Sequence, residues 1–229
     1  MFLSKIHSSI IGFDELVGGG INQGSMVLLK GPPFCGKKLF LMQFLFEQLK
    51  SSQKVLFILT DFSYEDFKAK MKNFNWDLEP FEKQKSCFFV DAYSKQFFPQ
   101  IKDSSNIKYI SSPGALSELS LAISKFQEEF QLKNFFVGLH SLSTLLKSTS
   151  PKSFFNFLNF EIGKLKKLNS TAFFTLEKYA QSTKEELAIE HLMDGVVEFE
   201  NAKLLVKGLE TFDNQWHDYS ITEHGISIL

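Results

Sequence analysis

A chain of 229 residues, 44% hydrophobic and 22% charged, is long enough for one sizeable core and has the composition of an ordinary globule. Its formal charge of −1 excludes the general pull toward nucleic acid or acidic lipid that a strongly basic chain exerts. All 25 basic residues are lysine, so the chain supplies no arginine finger and no bidentate guanidinium clamp. The same absence, beside 27 phenylalanines, is what a coding bias toward A and T would also produce.

Residues 12–25 predict a short helical turn running into a glycine cluster, Gly18-Gly19-Gly20, that bends sharply before the first strand. That strand is the apolar run Met26-Val27-Leu28-Leu29. It leads into Gly31-Pro32-Pro33-Phe34-Cys35-Gly36-Lys37-Lys38 and then a buried helix from Leu39. The order strand, glycine loop, helix is the context in which G-x-x-x-x-G-K-[ST] reads as a phosphate-binding P-loop. Gly31 and Gly36 let backbone N–H groups turn inward on an anion, and the helix dipole adds to them. Lys37 would reach the terminal phosphates. The final position breaks the motif: Lys38 stands where a hydroxyl would hold magnesium, and an ammonium has no lone pair to give. The bland alternative is a glycine turn between a strand and a core helix. Cys35, just ahead of a helix start, is either a favoured thiolate or a small apolar residue in a tight loop.

Further along, Lys54–Thr60 predicts a second strand ending at Asp61-Phe62, and Ser63 caps a helix through Met71. Residues 73–86 read as loop, Cys87–Asp91 as a third strand, and Ala92–Ser112 as irregular. A helix follows over Gly114–Phe130, then a buried strand from Asn134 to Leu139 that ends on His140. Ser150-Pro151 opens a helix to about Leu168, Thr171–Leu176 is a strand with Glu177 at its tip, and the tail from Gly195 alternates like antiparallel hairpins. No repeat or linker interrupts this order, so residues 1–229 read as a single α/β domain. The longest apolar runs fall short of a membrane span, the N-terminus lacks a signal-peptide layout, and two cysteines suit a reducing compartment. The expectation is a cytoplasmic protein with no membrane contact.

The chain resembles the KaiC-type branch of the RecA-like ATPases. The resemblance rests on Gly12-Phe13-Asp14-Glu15-Leu16, Gly18-Gly19-Gly20-Ile21, Gly24-Ser25, the loop itself, Ser63-Tyr64-Glu65-Asp66, Ser141-Leu142-Ser143-Thr144-Leu145, Met193-Asp194-Gly195-Val196 and Ile221-Thr222-Glu223-His224-Gly225-Ile226. It implies a RecA-like P-loop core, a mostly parallel twisted sheet with flanking helices and a C-terminal antiparallel hairpin region, with ATP at the strand ends. It also implies assembly with itself or a related ATPase.

Four family positions carry the chemistry. The magnesium hydroxyl falls on Lys38 and the Walker B aspartate on His140. The paired glutamates that activate water fall on Asp61 and Phe62. The lysine and arginine that a neighbouring subunit extends fall near Lys207 and Leu209. A trans arginine is typically worth about 10³–10⁵-fold in rate, and general-base help about 10²–10⁴-fold. Losing all of these implies a pseudo-ATPase with no metal ligands, in which Lys37 and Lys38 hold ATP phosphates without magnesium and the domain serves as a regulatory or scaffolding subunit. Two alternatives remain at this point. One is a slow ATPase or autokinase with Asp61 as base. The other is a single-stranded DNA module, against which the scattered lysines and the negative charge argue. His140 reads as a strand-end histidine with satisfied hydrogen bonds rather than a base or metal ligand, Glu177 as an ordinary exposed carboxylate, and His191, His217 and His224 form no recognisable site.

Overall fold

A computed structural model describes residues 4–210 and 214–229. In chain order the elements are β1 (Lys5–Ile6), α1 (Phe13–Leu16), β2 (Ile21–Asn22), β3 (Met26–Gly31), α2 (Lys37–Lys50), β4 (Val55–Leu59), α3 (Tyr64–Asn73), α4 (Glu79–Lys83), β5 (Cys87–Asp91), β6 (Ile107–Tyr109) and α5 (Leu116–Glu129). Then follow β7 (Phe136–His140), α6 (Leu142–Lys147), α7 (Pro151–Lys167), β8 (Thr171–Glu177), α8 (Thr183–Glu190), β9 (Gly195–Glu200), β10 (Lys203–Gly208), β11 (His217–Thr222) and β12 (Gly225–Ile228).

Ten strands form one sheet in the order β12-β11-β10-β9-β3-β8-β7-β4-β5-β6. From β9 to β6 neighbours run parallel, and from β9 outward to β12 they run antiparallel. The parallel strands β3, β4, β5 and β7 are buried along their whole length because helices cover both faces. Alternate side chains therefore feed two separate cores. Val27, Leu29, Val55 and Phe57 pack under α2 and α3, while Met26, Leu28, Leu56 and Ile58 pack under α5 and α7. Phenylalanine does much of this filling: Phe44 meets Phe173 at 4.3 Å between ring centres, and Phe88 meets Phe130 at 4.4 Å.

Three expectations need correction. Residues 73–86 contain the five-residue helix α4, with Pro80 in its first turn, too short to show a periodicity. Residues 92–112 contain β6, whose strand state comes from pairing with β5 and not from its own pattern. The helix expected from Gly114 starts at Leu116. Two further helices, α6 and α8, lie where no helix was expected, each announced by a serine cap: Ser141 accepts from Thr144 N, and Ser182 forms a capping box with Glu185.

Candidate functional site

The loop from Gly31 to Lys38 joins the central strand β3 to α2. Gly31 has no room for a side chain, since a Cβ there would lie 2.6 Å from Cys35 Sγ and 2.8 Å from the Phe199 carbonyl. Gly36 caps α2 with a φ of 91°, in the left-handed region. Phe34 also has a positive φ, 62°, and its ring is fully exposed at the apex. On a bulky residue that conformation stores strain, which P-loop geometry imposes here. The outer strands brace the turn from behind: the Tyr219 hydroxyl donates to the Cys35 carbonyl, and Gln43 of α2 accepts from Ile226 N at 2.7 Å.

Lys37 is almost wholly buried, and its ammonium is already held. It donates to the Pro32 carbonyl at 2.8 Å and pairs with Glu177 at 3.0 Å. Glu177 is therefore not the ordinary exposed carboxylate expected of a strand tip. β8 lies beside β3 with Glu177 opposite Gly31, and this register brings its carboxylate to the loop lysine. Of the two readings of Cys35, the structure disfavours the thiolate. Burial pushes its thiol up, outweighing the opposing pull of the Lys37 backbone and charge.

Lys38 points away from the loop toward the end of β4, with its Nζ 4.2 Å from the centre of the Phe62 ring. Beside it, His140 Nε2 lies 3.2 Å from Asp61 Oδ2, and His140 Nδ1 lies 2.5 Å from Thr175 Oγ1. Burial pushes the His140 imidazole below its usual range despite the Asp61 carboxylate. At neutral pH the ring is thus uncharged. It donates from Nε2 to Asp61 and accepts the Thr175 hydroxyl at Nδ1. Burial opposes the Asp61 charge too, but the hydrogen bond from His140 and the charge of Lys38 outweigh it, so this carboxyl is held below the ordinary range. Phe62 is buried against Phe67 and His140 and forms the floor under Lys38.

Pro33, Phe34, Cys35, Gly36, Lys37 and Lys38 line one cavity of about 440 Å³ together with Asp61, His140 and Glu177. Gly31 and Pro32 are not on its wall. Lys70 is, and nothing in the sequence singled it out: it belongs to the last turn of α3, and only the fold carries it to the loop. Lys207 is paired with Glu198 of its own chain at 2.6 Å, and Leu209 is buried against Gly195.

Magnesium takes oxygen donors in a near-octahedral shell. Here the position of the hydroxyl ligand is an ammonium, and the position of the aspartate is a neutral imidazole whose two nitrogens are both engaged. The residues present do not fit that ion. Among the described residues, no three His, Cys, Asp or Glu side chains come together as a metal-ligand set, and no helix is long and apolar enough to cross a membrane.

Comparison with known proteins agrees with the architecture. A KaiC-like protein of Pyrococcus horikoshii superposes over 100% of both chains, with a TM-score of 0.75 at 20% identity. A UPF0273 protein of Thermotoga maritima is 30% identical over 92 residues, which is 40% of this chain and 38% of the relative. The circadian clock protein KaiC3 of a Synechocystis species is 30% identical over 90 residues, 39% of this chain and 18% of that protein. The similarity thus spans well under half the length of either curated relative. Residues 6–229 nonetheless match the KaiC ATPase family throughout, and the chain belongs to that family.

Proposed function

We propose that this chain is a non-hydrolysing KaiC-family domain that binds the phosphates of ATP without magnesium and acts as a regulatory or scaffolding subunit, assembled with itself or with an active relative. The observation that carries this reading is the pairing of a retained P-loop and buried Lys37 with an ammonium, Lys38, at the metal ligand's position. A fixed positive charge beside the loop does part of what the ion would do, which is to neutralise phosphate oxygens. Across the loop, Pro33, Phe34, Tyr219 and Ile221 line a second hollow of about 390 Å³, ring and aliphatic surface of the kind that takes a nucleobase. This reading is supported by Phe62, which offers no carboxylate, by Lys207, already paired with Glu198 of its own chain, and by Leu209, which is buried.

Calorimetry with ATP in EDTA and in excess magnesium tests the reading. Equal affinity in both, lost in Lys37→Ala, is expected. Binding only with magnesium, or no heat in either buffer, overturns it. One observation favours a second reading: Asp61 is ionised and faces the cavity, where a slow hydrolase would want its base. Phosphate release above that of Lys37→Ala, abolished by Asp61→Asn, would establish that alternative.

A further inference from the structure

We propose that Lys38 and Lys70, both seated on the ring of Phe62, form a receptor for the terminal phosphate of a triphosphate chain, taking the place of a divalent ion. The proposal rests on the metal-free reading above and adds a residue and a specificity to it. Lys38 comes from the first turn of α2 and Lys70 from the last turn of α3. Their ammonium nitrogens stand 4.2 Å and 5.0 Å from the centre of the same ring. Two like charges beside one ring repel each other, and Lys70 opposes the charge on Lys38.

Neither lysine has a carboxylate within salt-bridge distance among the described residues. The neighbouring Lys68 of α3 pairs with Glu82 at 2.9 Å, whereas Lys70 is left facing the cavity. The nearest acid, Asp61, is engaged by His140. Burial pushes the Lys38 ammonium below its usual range; Lys70 and Lys37 push it the same way, against Asp61. An anion between the two ammoniums removes this repulsion.

The two sets of lysine contacts divide the cavity. Lys37 reaches back to the Pro32 carbonyl, inside the loop, and serves the phosphates cradled there. Lys38 and Lys70 stand instead over Phe62, and there they would meet a third phosphate. Together they carry the formal charge of the ion they replace. The ligand class is therefore a triphosphate, nucleoside or inorganic, in preference to a diphosphate.

The test is calorimetry in EDTA with ATP, ADP, inorganic tripolyphosphate and pyrophosphate against wild type, Lys70→Ala and Lys37→Ala. Lys70 is exposed on its helix, so its removal leaves the fold intact, which circular dichroism checks. Lys70→Ala is expected to weaken ATP and tripolyphosphate about tenfold and ADP and pyrophosphate less than about twofold. Lys37→Ala is expected to weaken all four. Tripolyphosphate binding as tightly as ATP would identify the inorganic chain as sufficient, and tighter ATP binding would identify the nucleotide. Unchanged triphosphate affinity in Lys70→Ala, or an equal loss for di- and triphosphates, overturns the receptor while leaving metal-free binding standing. Wild type that binds nothing without magnesium overturns both.

Discussion

Glu177 shows how a single side chain can set the strength of a phosphate site. Its carboxylate already holds the Lys37 ammonium, so on the proposed reading phosphate binding would be an exchange of partners for Lys37 and not a simple capture. Glu177→Gln keeps the shape and removes the competing charge. It is expected to tighten ATP binding in EDTA by about five- to tenfold, equivalent to about 1–1.4 kcal/mol, as a charge-assisted contact no longer has to be broken. Isothermal calorimetry reads this directly. His140 gives a prediction in pH. In the unfolded chain its imidazole protonates below about pH 6.5, while in the folded chain burial holds its titration lower. The unfolded state therefore binds more protons in that window, and stability is lost as pH falls from about 6.5, by at most about 1.4 kcal/mol per unit for one group. Asp61 works the same way only in stronger acid: its contribution is present above the unfolded carboxyl's titration and is lost as pH falls through the depressed folded one. Urea unfolding between pH 7.5 and 5 should show a steeper loss for wild type than for His140→Gln.

At the scale of elements, the site depends on how closely α2 and α3 approach the sheet. Gly138 of β7 lies directly under α2, where a Cβ would collide with Leu45 and come within 3.2 Å of Leu41. Both leucines are buried, so Gly138→Ala has no slack to take up and should cost about 1–3 kcal/mol in a denaturant titration. Helix α3 is held at its start by Ser63, whose hydroxyl accepts from Asp66 N at 3.0 Å. Losing that cap in Ser63→Ala should cost about 1 kcal/mol, and because α3 carries Lys70 it should also weaken triphosphate binding. These elements differ in how far the sequence announces them. β3, the loop and α2 follow from local pattern alone, as do β5 and the Ser150 cap of α7. The edge strand β6 and the meeting of Lys70 with Lys38 are made by long-range pairing and packing, and no window of sequence contains them. Glu177 lies between these cases: the strand end was readable, but its register against Gly31 was not.

For the molecule as a whole, charge and aromatic content bear on what it can hold. Most phenylalanines fill the two cores, and the largely exposed ones among the described residues are Phe34, Phe97, Phe98 and Phe160. With a net charge of −1 and few free stacking faces, the chain should retain no single-stranded DNA in a gel shift at about 150 mM salt, where non-specific complexes have weakened sharply. A salt-resistant band would reopen the recombinase-like alternative. The internal commitment of Lys207 to Glu198 makes a related prediction for assemblies. In mixtures with an active relative, Lys207→Ala is expected to leave that relative's phosphate release within about twofold, since the ammonium already has a partner in its own chain.

Strand β9 has a parallel neighbour on one side and an antiparallel one on the other. This joins the tail to the nucleotide-facing half as one continuous hydrogen-bonded plate. The Tyr219 hydroxyl on the Cys35 carbonyl and the Gln43 clasp on Ile226 then fasten the last two strands to the phosphate loop and to the helix behind it. A tug or a push delivered at the far rim has no swivel to absorb it before it reaches the cradle, so whatever grips the C-terminal edge also has a hand on the anion.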